Sequence, residues 1–146
     1  MGATLSHLVR GRGLNARSYY LNLQTAIHTA PHVLRSDMQF EEIDVNECYV
    51  RGVITLIGGF ELHIAEYVVT EPNVTRPKYR YHLQTSDGRL ISRWDNAPHH
   101  PAVPTFPHHR HDGQGGVEPS PAMNVPDVLE AVLQVVMPSP SGDGRP

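Results

Sequence analysis

Five histidines lie within one short, proline-rich part of the chain, which we call the histidine-rich segment (residues 94–111). Imidazole has an unperturbed pKa of about 6.5, so it can give or take a proton near neutral pH, and its neutral form is a common metal ligand. Prolines at positions 98, 101, 104 and 107 remove backbone donors and fix their own φ. We therefore expect a stiff loop, neither helix nor central strand, that aims its side chains and carries the chemistry of the protein.

The histidines are candidates for metal-independent cleavage of RNA. That reaction needs one group to deprotonate the 2′-hydroxyl and another to protonate the leaving 5′-oxygen, and two imidazoles can do both. Neighbours on an extended chain point in opposite directions, so a working pair should combine a histidine at 99–100 with one at 108–111. Asp95 could orient one imidazole through its ring N–H. The predicted catalytic residues are His99, His100, His108, His109, His111 and Asp95, with no metal or other cofactor.

The substrate of such a reaction is anionic, and polar side chains close to the histidines could bind it. A cation must stabilise the charge on the phosphorane, and an arginine can do so as a bidentate donor. The net charge of −3 argues against nonspecific coating of nucleic acid, although residues 76–93 are locally basic. The predicted substrate-binding residues are Arg80, His82, Arg93, Arg110 and Asn96.

Two other interpretations of the histidines stay open. In the first, His109 and His111 project to one side of an extended segment, and His99 or His100 completes a three-nitrogen metal site with a position free for water. The spacing matches no diagnostic metal motif, so we favour the metal-free interpretation. In the second, hydrogen bonds between the histidines and Asp95 only hold the loop in shape. Glu66, on an apolar strand face, is either a base with a raised pKa or an exposed strand end.

Hydrophobic periodicity and turn residues predict the elements that position these side chains. An imperfect apolar stripe predicts a helix over 16–29, ended by Pro31, and a second helix follows the N-cap Asn124 and stops before Pro138. Alternation predicts strands over 33–45, 48–57, 60–70 and a hairpin of 78–84 with 89–94. The glycine-rich stretch 112–121 should be a mobile connection. The expected fold is α+β, an antiparallel four- or five-stranded meander with an N-terminal and a C-terminal helix packed on one face.

The length of 146 residues fits one domain, which we place at 16–137, between a flexible N-terminal segment (1–15) and a disordered tail (138–146). A single cysteine, Cys48, excludes an internal disulfide and fits a cytoplasmic setting. No segment approaches the roughly 18 apolar residues of a membrane span, so we expect no membrane association.

The motifs DNAPHH (95–100) and TFPHHxH (105–111), together with YRYH (79–82), resemble the TumE family of toxins from prokaryotic toxin-antitoxin modules. The resemblance covers about residues 17 to 136. It implies a small toxin-like protein, encoded beside a DNA-binding antitoxin that is its partner. It does not specify a chemical target. Our leading hypothesis is a toxin that acts on RNA. The alternatives are a noncatalytic module that binds its antitoxin and a histidine-ligated metal-dependent hydrolase; the oligomeric state is not predicted.

Overall fold

The computed structural model describes residues 14–139. Among these residues, seven strands form one antiparallel sheet in which each strand pairs with the next along the chain. The strands are β1 (Val33–Asp44), β2 (Glu47–Leu56), β3 (Glu61–Val69), β4 (Thr75–Gln84), β5 (Leu90–Asp95), β6 (His109–Asp112) and β7 (Val117–Pro119), and the helices are α1 (Ala16–Thr29) and α2 (Val125–Val136). The α+β meander and its two helices are confirmed, whereas the expected count of four or five strands is wrong. The proposed flexible start and disordered tail fall mostly outside the described residues.

The two unexpected strands are β6 and β7, which form a hairpin after the prolines. The last proline of the histidine-rich segment is Pro107, so β6 keeps all of its backbone donors and pairs with β5. The side chain of Asp112 then accepts the N–H groups of Gln114 and Gly116, both at 2.8 Å, and Gly115 closes the turn with a φ of 87°. The histidine-rich segment therefore contains strand residues at both ends, and the glycine-rich stretch forms a turn and an edge strand.

Both helices are capped by asparagine. The side chain of Asn15 accepts the N–H of Ser18 at 2.9 Å, and that of Asn124 accepts the N–H of Asp127 at 2.8 Å. Pro126 lies in the first turn of α2, where its missing N–H costs no hydrogen bond. The N-cap Asn124 was used to predict α2 from the sequence, whereas α1 was predicted from its apolar stripe and the cap Asn15 was not anticipated.

The two helices pack on one face of the sheet, the inner face, and share one core with it. Alternate residues of each strand point to this face because the side-chain period of a strand is two. On α2, Leu129 is buried and Leu133 is only half-buried. The inner-face residues that are buried with the helices include Val50, Ile54, Leu62, Ile64, Tyr81 and Trp94. The opposite, outer face carries no helix among the described residues.

A charged group lies inside this core. Glu66 is 1% exposed, and its two carboxylate oxygens accept the hydroxyl groups of Tyr19 from α1 and Tyr81 from β4. Arg76 approaches the same carboxylate to 3.4 Å. Burial raises the pKa of both tyrosines, and the nearby carboxylate raises it further, so both remain proton donors. Glu66 therefore joins α1 to the sheet, and it lies on the face opposite to the histidines.

Removing one donor from this carboxylate should destabilise the protein. Tyr81→Phe leaves a buried charge with one hydrogen bond fewer, which should lower the free energy of unfolding by about 1.5–3 kcal/mol. Tyr67→Phe is the matched control, because Tyr67 donates to Glu47 on the half-exposed outer face, where the loss should stay below about 1 kcal/mol. Urea unfolding followed by circular dichroism measures both changes. Equal decreases in the free energy of unfolding for Tyr81→Phe and Tyr67→Phe would contradict the structural role of Glu66.

Candidate functional site

The register of the sheet places polar side chains in two rows across the outer face. One row passes through Ala65, Arg80, Asp95 and His109, and the next passes through His63, His82, Arg93 and His111. Side chains that are directly opposite on paired strands lie about 5 Å apart, so each residue contacts its neighbour in the row. Strand pairing therefore brings residues of β4, β5 and β6 together that are distant in the chain.

Three of these side chains and His100 from the loop after β5 form a compact group, the histidine–aspartate cluster (Asp95, His100, His109 and His111). Nε2 of His109 lies 2.9 Å from Oδ1 of Asp95 and 3.1 Å from Nε2 of His111. Nε2 of His111 lies 3.4 Å from Oδ2 of Asp95. The ring of His100, from the loop after β5, lies 4.9 Å from the His109 ring and 5.4 Å from the His111 ring, measured between centroids. One nitrogen of each histidine lies within 4.8 Å of the other two.

The backbone and a neighbouring arginine hold the cluster in place. Nδ1 of His109 lies 2.9 Å from the carbonyl oxygen of Pro107, which can only accept, so the N–H of His109 is on Nδ1. Oδ1 of Asp95 accepts the N–H of Ala97 at 3.0 Å, and Oδ2 accepts Nε of Arg93 at 3.2 Å. Asp95 is 5% exposed and His109 is 1% exposed. These two residues form the rigid base of the cluster.

The cluster lines an open pocket of about 630 Å³ on the outer face. Arg80 and Lys78 are exposed at its margin, and Arg93 is half-buried beside Asp95. His100 and His111 are half-buried, so their rings are accessible from the pocket while His109 lies beneath them. The pocket therefore combines cations that could bind an anion with imidazoles that could exchange protons or bind a metal.

The electrostatic surroundings favour neutral imidazoles next to the arginines. Burial lowers the pKa of His111, and the positive charge of Arg93 lowers it further, although the carboxylate of Asp95 partly opposes both effects. Burial and Arg93 also lower the pKa of His82. At neutral pH these effects favour the neutral ring of His111.

The structure does not bring every predicted site residue into the pocket. His108 stacks on Tyr79 and forms a 2.8 Å hydrogen bond with its hydroxyl, which keeps its proton because burial raises the pKa of Tyr79 to about 12. Arg110 alternates with His109 and His111 along β6, so it points the other way, to Ser92 and Glu118. His82 lies on the outer face in the row of Arg93 but does not line the pocket.

Two further residues line the pocket. His99 is exposed at its margin. Lys78, which our sequence analysis did not select, also lines the pocket, and its alternation with Arg80 along β4 was the signal that could have found it.

Asn96 attaches the loop that carries His100 to strand β4. Its side-chain oxygen accepts the N–H of Tyr79 at 3.0 Å, and its amide nitrogen donates to the carbonyl oxygen of Pro77 at 3.0 Å. These bonds continue the pairing of β4 with β5 beyond the last strand residue. Asn96 therefore positions the pocket wall, besides lining it.

Asn96→Ala should loosen this loop and lower the free energy of unfolding by about 1–3 kcal/mol, because a buried backbone N–H loses its acceptor. Asn73→Ala, in the exposed connection between β3 and β4, is the control and should change stability by less than about 0.5 kcal/mol. Urea unfolding and amide hydrogen exchange at residues 97–100 measure the two effects. If Asn96→Ala leaves both unchanged, the asparagine does not hold the loop.

Comparison with known proteins identifies the family. The family model described as Toxin TumE matches residues 23–138, which include all seven strands and every residue of the histidine–aspartate cluster. No curated protein and no solved structure matches the chain. Within residues 14–139, neither helix is long and apolar enough to cross a membrane. Because the family model covers well over half of the sequence, including the cluster, this chain belongs to the TumE toxin family.

Proposed function

We propose that this chain is the toxin of a toxin-antitoxin pair and that it cleaves RNA in the pocket on the outer face. The observation that carries the proposal is the position of the histidine–aspartate cluster, which lies beside Arg80 and Arg93 in an open pocket. Family membership implies an antitoxin as partner, and we propose that this antitoxin is the DNA-binding protein encoded beside it.

The cations of the pocket suit a phosphodiester. Arg80 and Lys78 are exposed at the margin and free to turn toward a ligand, whereas Arg93 already donates to Asp95. An arginine can hold two phosphate oxygens through parallel N–H groups, which also fixes the orientation of the phosphorus. The pocket volume of about 630 Å³ lies in the range of small-molecule sites and fits a nucleotide with its flanking phosphates.

The proposed reaction is attack of the RNA on itself. The 2′-oxygen loses its proton to a base and forms a bond to phosphorus, while the bond from phosphorus to the 5′-oxygen breaks and that oxygen takes up a proton. The products are a 2′,3′-cyclic phosphate and a free 5′-hydroxyl, so one proton is removed for each proton delivered. This reaction needs proton transfer and stabilisation of a dianionic phosphorane, which are the tasks of the cluster and the arginines.

The spacing of the cluster limits how imidazoles alone could serve as base and acid. The two groups must lie on opposite sides of phosphorus, yet the Nε2 atoms of His109 and His111 are only 3.1 Å apart and His109 is almost fully buried. Within the cluster, a metal-free pair of imidazoles would have to use His100 and His111, whose ring centroids are 5.4 Å apart. Alternatively, the residues of the cluster would together hold a cation, and water bound to that cation would supply the proton transfers. The donor geometry of the cluster favours this second arrangement.

Purified protein should cleave single-stranded RNA and leave the same sequence intact when it is made of 2′-deoxynucleotides. His111→Ala should lower the cleavage rate by about 10²- to 10⁴-fold, the usual contribution of proton transfer. His63→Ala is the matched control, because His63 lies on the same face and in the same row but outside the pocket. Gel analysis of labelled RNA, with detection of the cyclic phosphate, measures the rates.

A folded protein that cleaves no RNA, with or without added Zn²⁺, would refute the proposal and favour a noncatalytic module that binds its antitoxin. Equal rates for His111→Ala and His63→Ala would show that any cleavage occurs away from the cluster.

A further inference from the structure

We infer that the histidine–aspartate cluster binds one divalent transition-metal ion of the class represented by Zn²⁺. Three imidazole nitrogens, from His100, His109 and His111, and one carboxylate oxygen of Asp95 would be the ligands. The role of the ion in RNA cleavage rests on the proposed function, whereas binding of the ion rests on the donor atoms alone.

The orientation of His109 is the first argument. Its Nδ1–H donates to the carbonyl oxygen of Pro107, so a neutral ring presents a lone pair at Nε2. That lone pair lies 2.9 Å from Oδ1 of Asp95, which is itself an acceptor, and 3.1 Å from Nε2 of His111. If the His109 ring is neutral, these acceptors repel one another, so the contact needs either a second ring proton or a metal ion between the atoms. A positive charge among the three atoms removes the repulsion, and a ligating histidine usually donates its other ring N–H to such a carbonyl.

The spacing of the donors is the second argument. Donors at about 2.0–2.1 Å from a tetrahedral zinc ion lie about 3.3 Å from one another. Nε2 of His109 lies 3.1 Å from Nε2 of His111 and 2.9 Å from Oδ1 of Asp95, both somewhat shorter than this value. A ring nitrogen of His100 lies within 4.8 Å of nitrogens of His109 and His111, and it would have to move inward on its loop to reach the same ion.

The ligand types select the class of ion. Imidazole nitrogens suit zinc and its neighbours in the first transition row, whereas Mg²⁺ and Ca²⁺ prefer oxygen ligands. The cluster opens into the pocket, so water or a phosphate oxygen of RNA could occupy a fifth position on the ion. Such water loses its proton near neutral pH and could act as the base for the 2′-hydroxyl.

Metal binding can be tested without RNA. The full chain, prepared without a polyhistidine tag and stripped with EDTA, should bind one Zn²⁺ per chain by isothermal titration calorimetry. Zn²⁺ should raise the midpoint of thermal unfolding, whereas the same concentration of Mg²⁺ should not. Co²⁺ should bind at the same site and show the visible absorption typical of low-coordinate cobalt.

Variants locate the site. His100→Ala and His111→Ala should each weaken Zn²⁺ binding by more than about 100-fold, since even a residue that only supports a ligand typically contributes 10- to 100-fold. His63→Ala on the same face should bind as the wild type does. His100 and His111 are preferred for the test because both are half-buried, so their loss disturbs the core less than the loss of His109.

The inference is overturned if the wild type shows no saturable Zn²⁺ binding, which would indicate that a shared proton relieves the repulsion, or if the His100→Ala/His111→Ala double variant binds as tightly as the wild type. RNA cleavage that persists at full rate after EDTA, in a protein that binds no Zn²⁺, would retain the proposed function and reject the metal site. Zn²⁺ binding in a protein that cleaves no RNA would retain the metal site and reject the proposed function.

Discussion

The pairing of β5 with β6 is the constraint on which the site depends. It places Asp95 opposite His109 and Arg93 opposite His111. A slip of one residue would turn both histidines to the other face and bring Arg110 in their place. Trp94 and the Asp112 turn at the far end of β6 help to hold this register. Trp94 is buried only if its side chain points to the inner face, and the turn fixes where β6 ends. The loop between β5 and β6 then brings His100 back over the pair.

The buried carboxylates on the two faces of the sheet differ in their hydrogen-bond partners. On the inner face, two tyrosine hydroxyls and an arginine surround the carboxylate of Glu66, and all three are donors. On the outer face, Asp95 has donors in Ala97 and Arg93 but also lies against a ring nitrogen that carries no proton in its neutral form. A buried carboxylate whose neighbours are all hydrogen-bond donors is typical of a structural group. Two hydrogen-bond acceptors that point at each other require a further positive charge. This contrast distinguishes the proposed functional cluster from the structural carboxylate.

Periodicity and capping residues were sufficient to predict the helices and the first five strands, because those elements bury regular apolar faces. β6 and β7 were missed for a physical reason: they are short, and the alternating residues of β6 are histidine, arginine and aspartate rather than apolar residues. The prolines before β6 also suggested an irregular loop throughout. The fold of this part depends on pairing with β5, which is a tertiary effect.

The same omission explains the errors in the site. The sequence indicated that His109 and His111 share one side, but without a strand assignment it could not show that Arg110 must then face the opposite side. His108 was equally plausible until its hydrogen bond with Tyr79 was seen. Glu66 was left between a base and an exposed strand end, and its role as a buried anchor for α1 depends on Tyr19, which is distant in sequence.

The most direct measurement is of toxicity itself, because the central claim is that the histidine–aspartate cluster is the reactive centre of this toxin. Cells that express the wild type, His111→Ala or His63→Ala from an inducible promoter, at equal protein levels and without antitoxin, can be compared by their growth after induction. We expect arrest by the wild type and by His63→Ala, and continued growth with His111→Ala. Arrest by His111→Ala at the rate of the wild type would contradict it.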